Sequence, residues 1–161
     1  MERMQFNLAG LLQEAVCEVF ETAFFIDLVR QDPPELSGML GPFAITALIP
    51  LAGEFSGLLA MHCSQEFLQR CIRGILPDGD TPSREDCLDA ASEIINMIAG
   101  SMKRRLSSMI SLFEIGLPAI VTSERHWFAY RGAKEQFPHC ILSFSDDGKE
   151  PFHLEMLYYR R

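Results

Sequence analysis

Near the start of the chain, Leu11, Leu12, Val16, Val19, Phe20 and Ala23 recur at three- and four-residue steps, the spacing of one helix face. This pattern predicts a first helix over 8–30, ended by Gln31-Asp32-Pro33-Pro34 because proline biases the residue before it away from helical backbone. Phe43 to Leu51 then reads as a strand, Gly53 to Gly57 as a turn and Leu58 to Cys63 as the returning arm, a hairpin over 43–64. Ser64 can cap a short helix from Gln65 to Leu76, and Pro77-Asp78-Gly79-Asp80 is a loop by composition. The longest helical signal covers 81–109: Thr81 as cap, Pro82 in the first turn, Glu85 and Asp86 at the positive end of the dipole, Lys103, Arg104 and Arg105 at the other. The remainder, 112–161, reads as strands at Leu112–Thr122, His126–Tyr130, Phe137–Ser145 and Pro151–Tyr159, with Asp146-Asp147-Gly148-Lys149 as a hairpin turn. Hairpins imply a mostly antiparallel sheet, and long amphipathic helices need a sheet face to cover. The expectation is one α+β domain over 1–161. Helix-then-strands occurs twice in it, a loose internal pseudo-two-fold repeat without residue-level identity.

Composition narrows the function classes. The 161 residues carry 14 Lys+Arg against 22 Asp+Glu, a net charge of −8, so a basic footprint for nucleic acid or an anionic membrane is lacking. The uncharged run from Leu36 to Gly53 contains Pro42 and Pro50 and makes a poor spanning helix; a loop entering a buried strand explains it better. The N-terminal Met-Glu-Arg-Met-Gln-Phe-Asn has no basic-then-apolar pattern, so no secretory signal is read there. Five cysteines, an odd number without a CxxC pair, fit small core residues in a reducing cytoplasm. His62-Cys63 and His139-Cys140 resemble two halves of a zinc site. Neighbours on a strand point to opposite faces, however, so each pair offers one ligand at most and no metal site is assigned.

The long helix has two contrasting faces. Leu88, Ala91, Ile95, Ile98, Met102, Leu106 and Met109 form a core-facing stripe, while Glu85, Asp89, Glu93, Asn96, Gly100 and Lys103 line the other side. Such a charged line is ordinarily just a solvated face. Two residues argue for more: Asn96 is a mediocre mid-helix residue, and Gly100 costs roughly 1 kcal/mol relative to alanine while leaving a gap in the side-chain wall. Local stability given up beside a carboxylate and an amide suggests a surface that a partner approaches.

Asp89-x3-Glu93-x2-Asn96, with Pro118 22 positions beyond the asparagine, resembles the signature of the CheC/CheX/FliY family of chemotaxis phosphatases. Glu93-Ile-Ile-Asn96-Met-Ile-Ala-Gly100 is similar to that family's active helix, Ile115-Gly116-Leu117-Pro118-Ala119-Ile120 to the strand that follows it, and the hairpin Ile45–Leu59 to its N-terminal half. The resemblance covers roughly residues 10–160 and implies a CheC/CheX-like fold. CheC-type members carry a second ExxN on their first helix. Glu14-Ala-Val-Cys17-Glu18-Val-Phe-Glu21 has no asparagine in that place, so a single site resembles the CheX-like branch. Ser101 stands where many members have a second asparagine.

The resemblance implies hydrolysis of the aspartyl-phosphate of a response-regulator receiver, CheY being the usual one. Asn96 would orient the attacking water and Glu93 would pair with the receiver's lysine. Asp89, Gly100 and Lys103 would help dock the partner, and Pro118 would be structural. The chain would need no cofactor of its own, Mg²⁺ arriving with the phosphorylated receiver. The resemblance also implies a homodimer, with sheet edges after residue 137 as candidate contacts. The alternatives are a non-catalytic module of the same fold that binds a receiver or a flagellar switch, and a structural subunit recognised through its strands. GxSxG, HExxH and Gly-rich phosphate loops are absent, and Ser64, Ser107 and Ser108 have no His–acid pair that sequence can attach to them.

Overall fold

The computed structural model describes residues 7–32, 39–77, 79–129, 139–147 and 149–160; the predicted strand ends at Tyr130 and Phe137, and Gly148 in the last turn, lie outside these. Helix α1 spans Leu8–Val19, capped by the Asn7 side chain, and continues as a π-helical turn over Phe20–Phe24. Strands β1 (Leu28–Gln31), β2 (Met39–Gly53) and β3 (Phe55–Cys63) follow, then α2 (Gln65–Arg73) and α3 (Arg84–Leu106), and finally β4 (Phe113–Ile115), β5 (Ala119–Ala129), β6 (His139–Asp146) and β7 (Phe152–Arg160).

The first helix is therefore shorter than its periodicity suggested. Phe20 and Phe24 keep the four-residue step and are buried, but Phe25 adopts a left-handed backbone (φ 56°) and the Ile26 amide bonds back to the Phe20 carbonyl. That reversal frees Leu28–Gln31 to pair with β6. Tertiary pairing overrides the local helical pattern here. The predicted cap of α2 stands: Ser64 Oγ accepts from the Phe67 amide at 3.1 Å.

All seven strands lie in one antiparallel sheet ordered β1-β6-β7-β3-β2-β4, with β5 also on β2. Two units, α1-β1-β2-β3 and α3-β5-β6-β7, are visible in this order. Each sends its first strand to the outside and its third to the centre, and each outer strand pairs with the other unit's second strand. The predicted duplication is real at this level. The expectation about edges is not: β6 lies between β1 and β7, and β7 between β6 and β3, so both are interior. The edges are β1 on one side and β4 with β5 on the other.

Strands β4 and β5 follow one another along β2. Leu51 pairs with Ile115 and Leu48 with Ala119, so Ile49 and Pro50 face Gly116, Leu117 and Pro118 across a bulge. The predicted break after Thr122 thus falls earlier, at the proline, which lacks the amide a ladder needs. Gly53, which closes the β2–β3 turn at φ +120°, admits no side chain, since a Cβ would stand 2.3 Å from the Leu112 carbonyl oxygen.

The helices cover one sheet face, where Ile45, Ile49, Leu59, Met61, Phe144 and Phe152 are buried against Leu12, Val16, Phe67 and the apolar stripe of α3. Cys63, Cys71 and Cys87 belong to this core, and all five cysteines are free thiols. Burial raises the thiol pKa of all five, Cys71 to about 12, which makes them poor nucleophiles at neutral pH.

The opposite face carries a polar network that includes all four histidines of the chain. Buried Glu155 accepts from His139 Nε2 at 2.5 Å and His62 Nε2 at 2.9 Å. Thr46 Oγ1 stands 2.8 Å from His62 Nδ1 and 2.6 Å from His126 Nε2, and Ser143 Oγ is 2.8 Å from His153 Nδ1. Burial alone would raise the Glu155 pKa, but the hydrogen bonds from His139 and His62 outweigh it and hold the carboxyl well below its usual range. Burial, with His62 adding to it, pushes His153 down to about 4.

The His153 shift has a definite sign. A depressed imidazole pKa means that the unfolded chain binds the extra proton first, so the contribution is complete above the ordinary value of 6.5 and is lost as pH falls toward about 4. The full loss is roughly 3 kcal/mol at the acid end. Urea-unfolding free energy should therefore fall between pH 6.5 and 4 in the wild type and fall less in His153→Asn, which keeps a polar partner for Ser143. An equally steep decline in the variant would contradict this assignment.

Candidate active site

Helix α3 is 23 residues long and begins with a reciprocal capping box. Ser83 Oγ accepts from the Asp86 amide at 3.1 Å, and the Asp86 carboxylate accepts from the Ser83 amide at 2.7 Å. Ser83, not Thr81, is the cap, because only Ser83 has an acid three residues on that can return the bond; the helix ends at Leu106, one turn before Met109. Glu85 and Asp86 sit in its first turn and Lys103, Arg104 and Arg105 in its last, each favoured by the dipole.

Its apolar side is broader than a single stripe. Ala91, Ile94, Ile95, Ile98, Ala99 and Met102 are all buried, and at the first turn Cys87 takes the core position while Leu88 is half-buried. Glu85, Asp89, Glu93, Asn96 and Lys103 remain exposed along the opposite side, with Gly100 half-buried among them. Helical geometry puts Glu93 and Asn96 about 4.5 Å apart along the axis and roughly 60° apart around it, so their carboxylate and amide share one outward sector. A Cβ at Gly100 would meet nothing within 4 Å. Packing inside the chain does not demand a glycine there; what the glycine provides is open space one turn beyond Asn96.

Two side-chain ties lay the outer strands alongside this face. Arg84 Nη2 donates to Thr122 Oγ1 of β5 near the start of α3, and Lys103 Nζ lies 3.2 Å from Glu114 Oε2 of β4 near its end. The bulge with Pro118 falls between those ties, flanking the middle of the helix. Lys103 is thus already paired, but in an exposed pair of the kind worth about 0–1 kcal/mol, which is cheaply exchanged for another partner.

The back of the site holds residues whose role sequence reasoning missed. Ser101 is fully buried and donates to Glu18 Oε2 of α1 at 2.6 Å. Arg105 reaches the same oxygen at 2.8 Å and Glu14 Oε2 at 2.7 Å, while Arg104 lies 3.2 Å from Glu18 Oε1. The Ser101 hydroxyl, followed by Arg105, holds the Glu18 carboxyl below its usual range. These bonds pin α1 to α3 and occupy the two carboxylates of α1 that could have resembled a second site. The available signal was Glu14 and Glu18 one turn apart on one helix, matched by adjacent arginines ending another.

No group of three or more His, Cys, Asp or Glu side chains among the described residues is placed to hold a metal ion. His62 and His139, read as halves of a possible zinc site, do meet, but on Glu155. Their cysteine neighbours point to the other sheet face, as strand alternation requires. A cavity of about 360 Å³ lies away from the exposed face of α3, lined among others by Phe43, His62, Glu124, Arg125 and His153. No described helix is long and apolar enough to cross a membrane.

Solved structures that share this fold include three chemotaxis-related proteins. The chemotaxis protein CheX from Vibrio vulnificus is 19% identical, with 95% of this chain and 97% of that chain covered at a TM-score of 0.79. A CheC-like superfamily protein from Shewanella sp. PV-4 is 20% identical, with 96% and 99% covered at 0.81. A CheX–CheY–BeF3–Mg²⁺ complex from Borrelia burgdorferi is 16% identical, with 97% and 100% covered at 0.71. No curated protein sequence matches the chain. The family model for chemotaxis phosphatase CheX matches residues 45–141, a span that takes in β2 from Ile45 onward, all of α3, the bulge at Pro118 and the whole of β5. With more than half its length matched, including the helix that carries Glu93 and Asn96, the chain belongs to the CheX family of chemotaxis phosphatases.

Proposed function

We propose that this protein hydrolyses the aspartyl-phosphate of a CheY-type response-regulator receiver in chemotaxis or a related two-component pathway, acting in the cytoplasm. The observation that carries this reading is the exposure of Glu93 and Asn96 on a shared outward sector of a helix whose other side is buried, with open space at Gly100 beside them. A projecting helix face suits a protein partner better than a small molecule, which would need a concave site.

In the reaction, water attacks phosphorus, the phosphorus–oxygen bond to the aspartyl carboxyl breaks, and aspartate and inorganic phosphate are released. Phosphoryl transfer asks chiefly for positioning and charge stabilisation. The Asn96 amide can hold a water in line with that bond without removing its proton. Glu93 would engage a receiver lysine and set the docking register. Asp89 would extend the acidic contact by one turn, and Lys103 would exchange Glu114 for an acidic group of the receiver. Mg²⁺ would belong to the receiver, where it lowers the charge around the phosphoryl group; Asp89 and Glu93 alone do not make a metal site. The Borrelia complex, which contains CheX, CheY, BeF3 and Mg²⁺ together, supports this division of roles.

We also propose a homodimer, formed through the sheet face that carries no described helix. Leu48, Leu58, Ile141 and Leu157 are only half-buried at its centre, an apolar patch that a second copy of the chain would cover.

Three measurements test these readings. Wild-type protein should shorten the lifetime of a phosphorylated CheY-type receiver in Mg²⁺. Asn96→Ala should lose on the order of 100-fold of that acceleration while still binding, and Glu93→Ala should weaken binding and turnover together. An unchanged rate in Asn96→Ala sinks the water-positioning role, and binding without acceleration by the wild type identifies a non-catalytic module instead. Gly100→Ala should raise stability by roughly 0.5–1 kcal/mol in thermal unfolding yet weaken receiver binding; unaltered binding would remove the gap from the docking face. Light scattering should give twice the chain mass for the wild type and the single-chain mass for Leu58→Lys, whereas a monomeric wild type at tens of micromolar would exclude the dimer.

A further inference from the structure

A chain of hydrogen bonds crosses the sheet from solvent to a buried carboxylate, on the face away from the helices. Ser123 Oγ stands 3.2 Å from His126 Nδ1, and His126 Nε2 stands 2.6 Å from Thr46 Oγ1. Thr46 Oγ1 is 2.8 Å from His62 Nδ1, whose Nε2 is 2.9 Å from Glu155 Oε2. The five residues come from β5, β5, β2, β3 and β7 in turn. Ser123 is exposed and His126 half-buried, while Thr46, His62 and Glu155 are at most 1% exposed.

Counting protons fixes the polarity of this chain. An ionised carboxylate only accepts, so His62 Nε2 carries a hydrogen. When His62 is neutral, its Nδ1 must accept from the Thr46 hydroxyl. Thr46 then accepts from His126 Nε2–H, and His126 Nδ1 accepts from Ser123. When His62 is an imidazolium, its Nδ1 donates to Thr46. The Thr46 hydroxyl then turns to His126 Nε2, and His126 Nδ1–H donates to Ser123. Every bond is satisfied in both polarities, and the heavy atoms need not move.

We infer that Ser123, His126, Thr46 and His62 form a reversible proton relay between solvent at the outer strand β5 and the buried Glu155 carboxylate, so that the tautomer of His126 reports the charge of the His62–Glu155 pair. One proton from water enters at His126 Nδ1. His126 passes its Nε2 proton to Thr46, and Thr46 passes its own to His62 Nδ1. The net change is one added proton, held on His62 beside Glu155. Burial and the neighbouring His62 keep His126 below the usual imidazole range, so the proton passes through it without resting there.

The groups packed around the relay are compatible with this. His139 donates to the other oxygen of Glu155, and His153, bonded to Ser143, stays neutral until about pH 4. The Phe43 ring stacks on His62 at 4.3 Å. Glu124, Arg125, Glu150 and Cys63 line the adjoining cavity. The device carries a proton across the sheet without exposing Glu155, and it is independent of any receiver phosphatase activity.

Nitrogen-15 NMR of the histidine rings in the full chain tests it directly. As the pH is lowered, His126 should change from the Nε2–H to the Nδ1–H tautomer in step with the protonation of His62. Thr46→Val should uncouple the two rings, leaving His126 in one tautomer while His62 takes up its proton. Thr46→Ser, which keeps the hydroxyl, should restore the coupling. A wild-type His126 tautomer that stays constant while His62 titrates would overturn the relay, and so would a proton that settles on His139 with His62 neutral throughout. Because the wild-type spectra and Thr46→Ser decide these points, the test survives a Thr46→Val protein that does not fold.

Discussion

Helix α3 lies with its apolar side over the sheet and touches α1 and α2 as well as β2, β3, β4 and β5. Seven of its residues, from Ala91 to Leu106 by way of Ile94, Ile95, Ile98, Ala99 and Met102, are no more than 2% exposed. Burying an aliphatic side chain is worth roughly 1.5–3 kcal/mol, so rotating the helix by even one sector would expose several of them at a cost no surface contact could offset. The direction in which Glu93 and Asn96 point is therefore set by the far side of the helix. The bonds from Ser101 and Arg105 to Glu18 add directional constraint to what apolar packing alone would allow to slide. A rigid outward row is what a positioning mechanism needs, because a misplacement of about 1 Å can cost a factor of 100.

The two faces of the sheet solve different problems. The helix-covered face is apolar and contains the free cysteines as small hydrophobes. The other face buries Glu155, a residue that a core admits only with its charge compensated. Two histidines on two different strands hydrogen-bond to it, so the carboxylate fixes β3, β6 and β7 relative to one another. Replacing one partner would leave a buried charge facing an apolar group. That is a strong constraint on register and only weak evidence of net stabilisation, since buried charges seldom repay their dehydration in full.

The exposed face of α3 was legible in the sequence, for a physical reason. Asn96 and Gly100 go against helix propensity at exposed positions, and a local cost without a local benefit can be seen in one dimension. Ser64 as a cap, the β2–β3 hairpin and the last two strands were equally local, and the repeated order of elements anticipated the pseudo-symmetric sheet. The end of the first helix was not, because Phe20 and Phe24 keep helical spacing up to the reversal at Phe25, and only pairing with β6 makes a strand of Leu28–Gln31. The interior place of β6 and β7 depends on an order of strands that no periodicity encodes. Glu155 and its histidines, separated by up to 93 positions, were invisible for the same reason.

One consequence of the α1–α3 contact concerns the number of sites. Pseudo-symmetry gives the chain two helices in comparable positions, α1 ahead of β1, β2 and β3 and α3 ahead of β5, β6 and β7. A carboxylate one turn from an amide could in principle stand on either. On α1, however, Glu14 and Glu18 are held by Arg104 and Arg105, and Cys17 between them is half-buried. Glu18, which also accepts from the buried Ser101 hydroxyl, cannot meet a partner's lysine without loosening the contact that orients α3. The acidic residues of the first helix thus support the outward row on the third, and the asymmetry between two related helices follows from one of them serving as the other's brace.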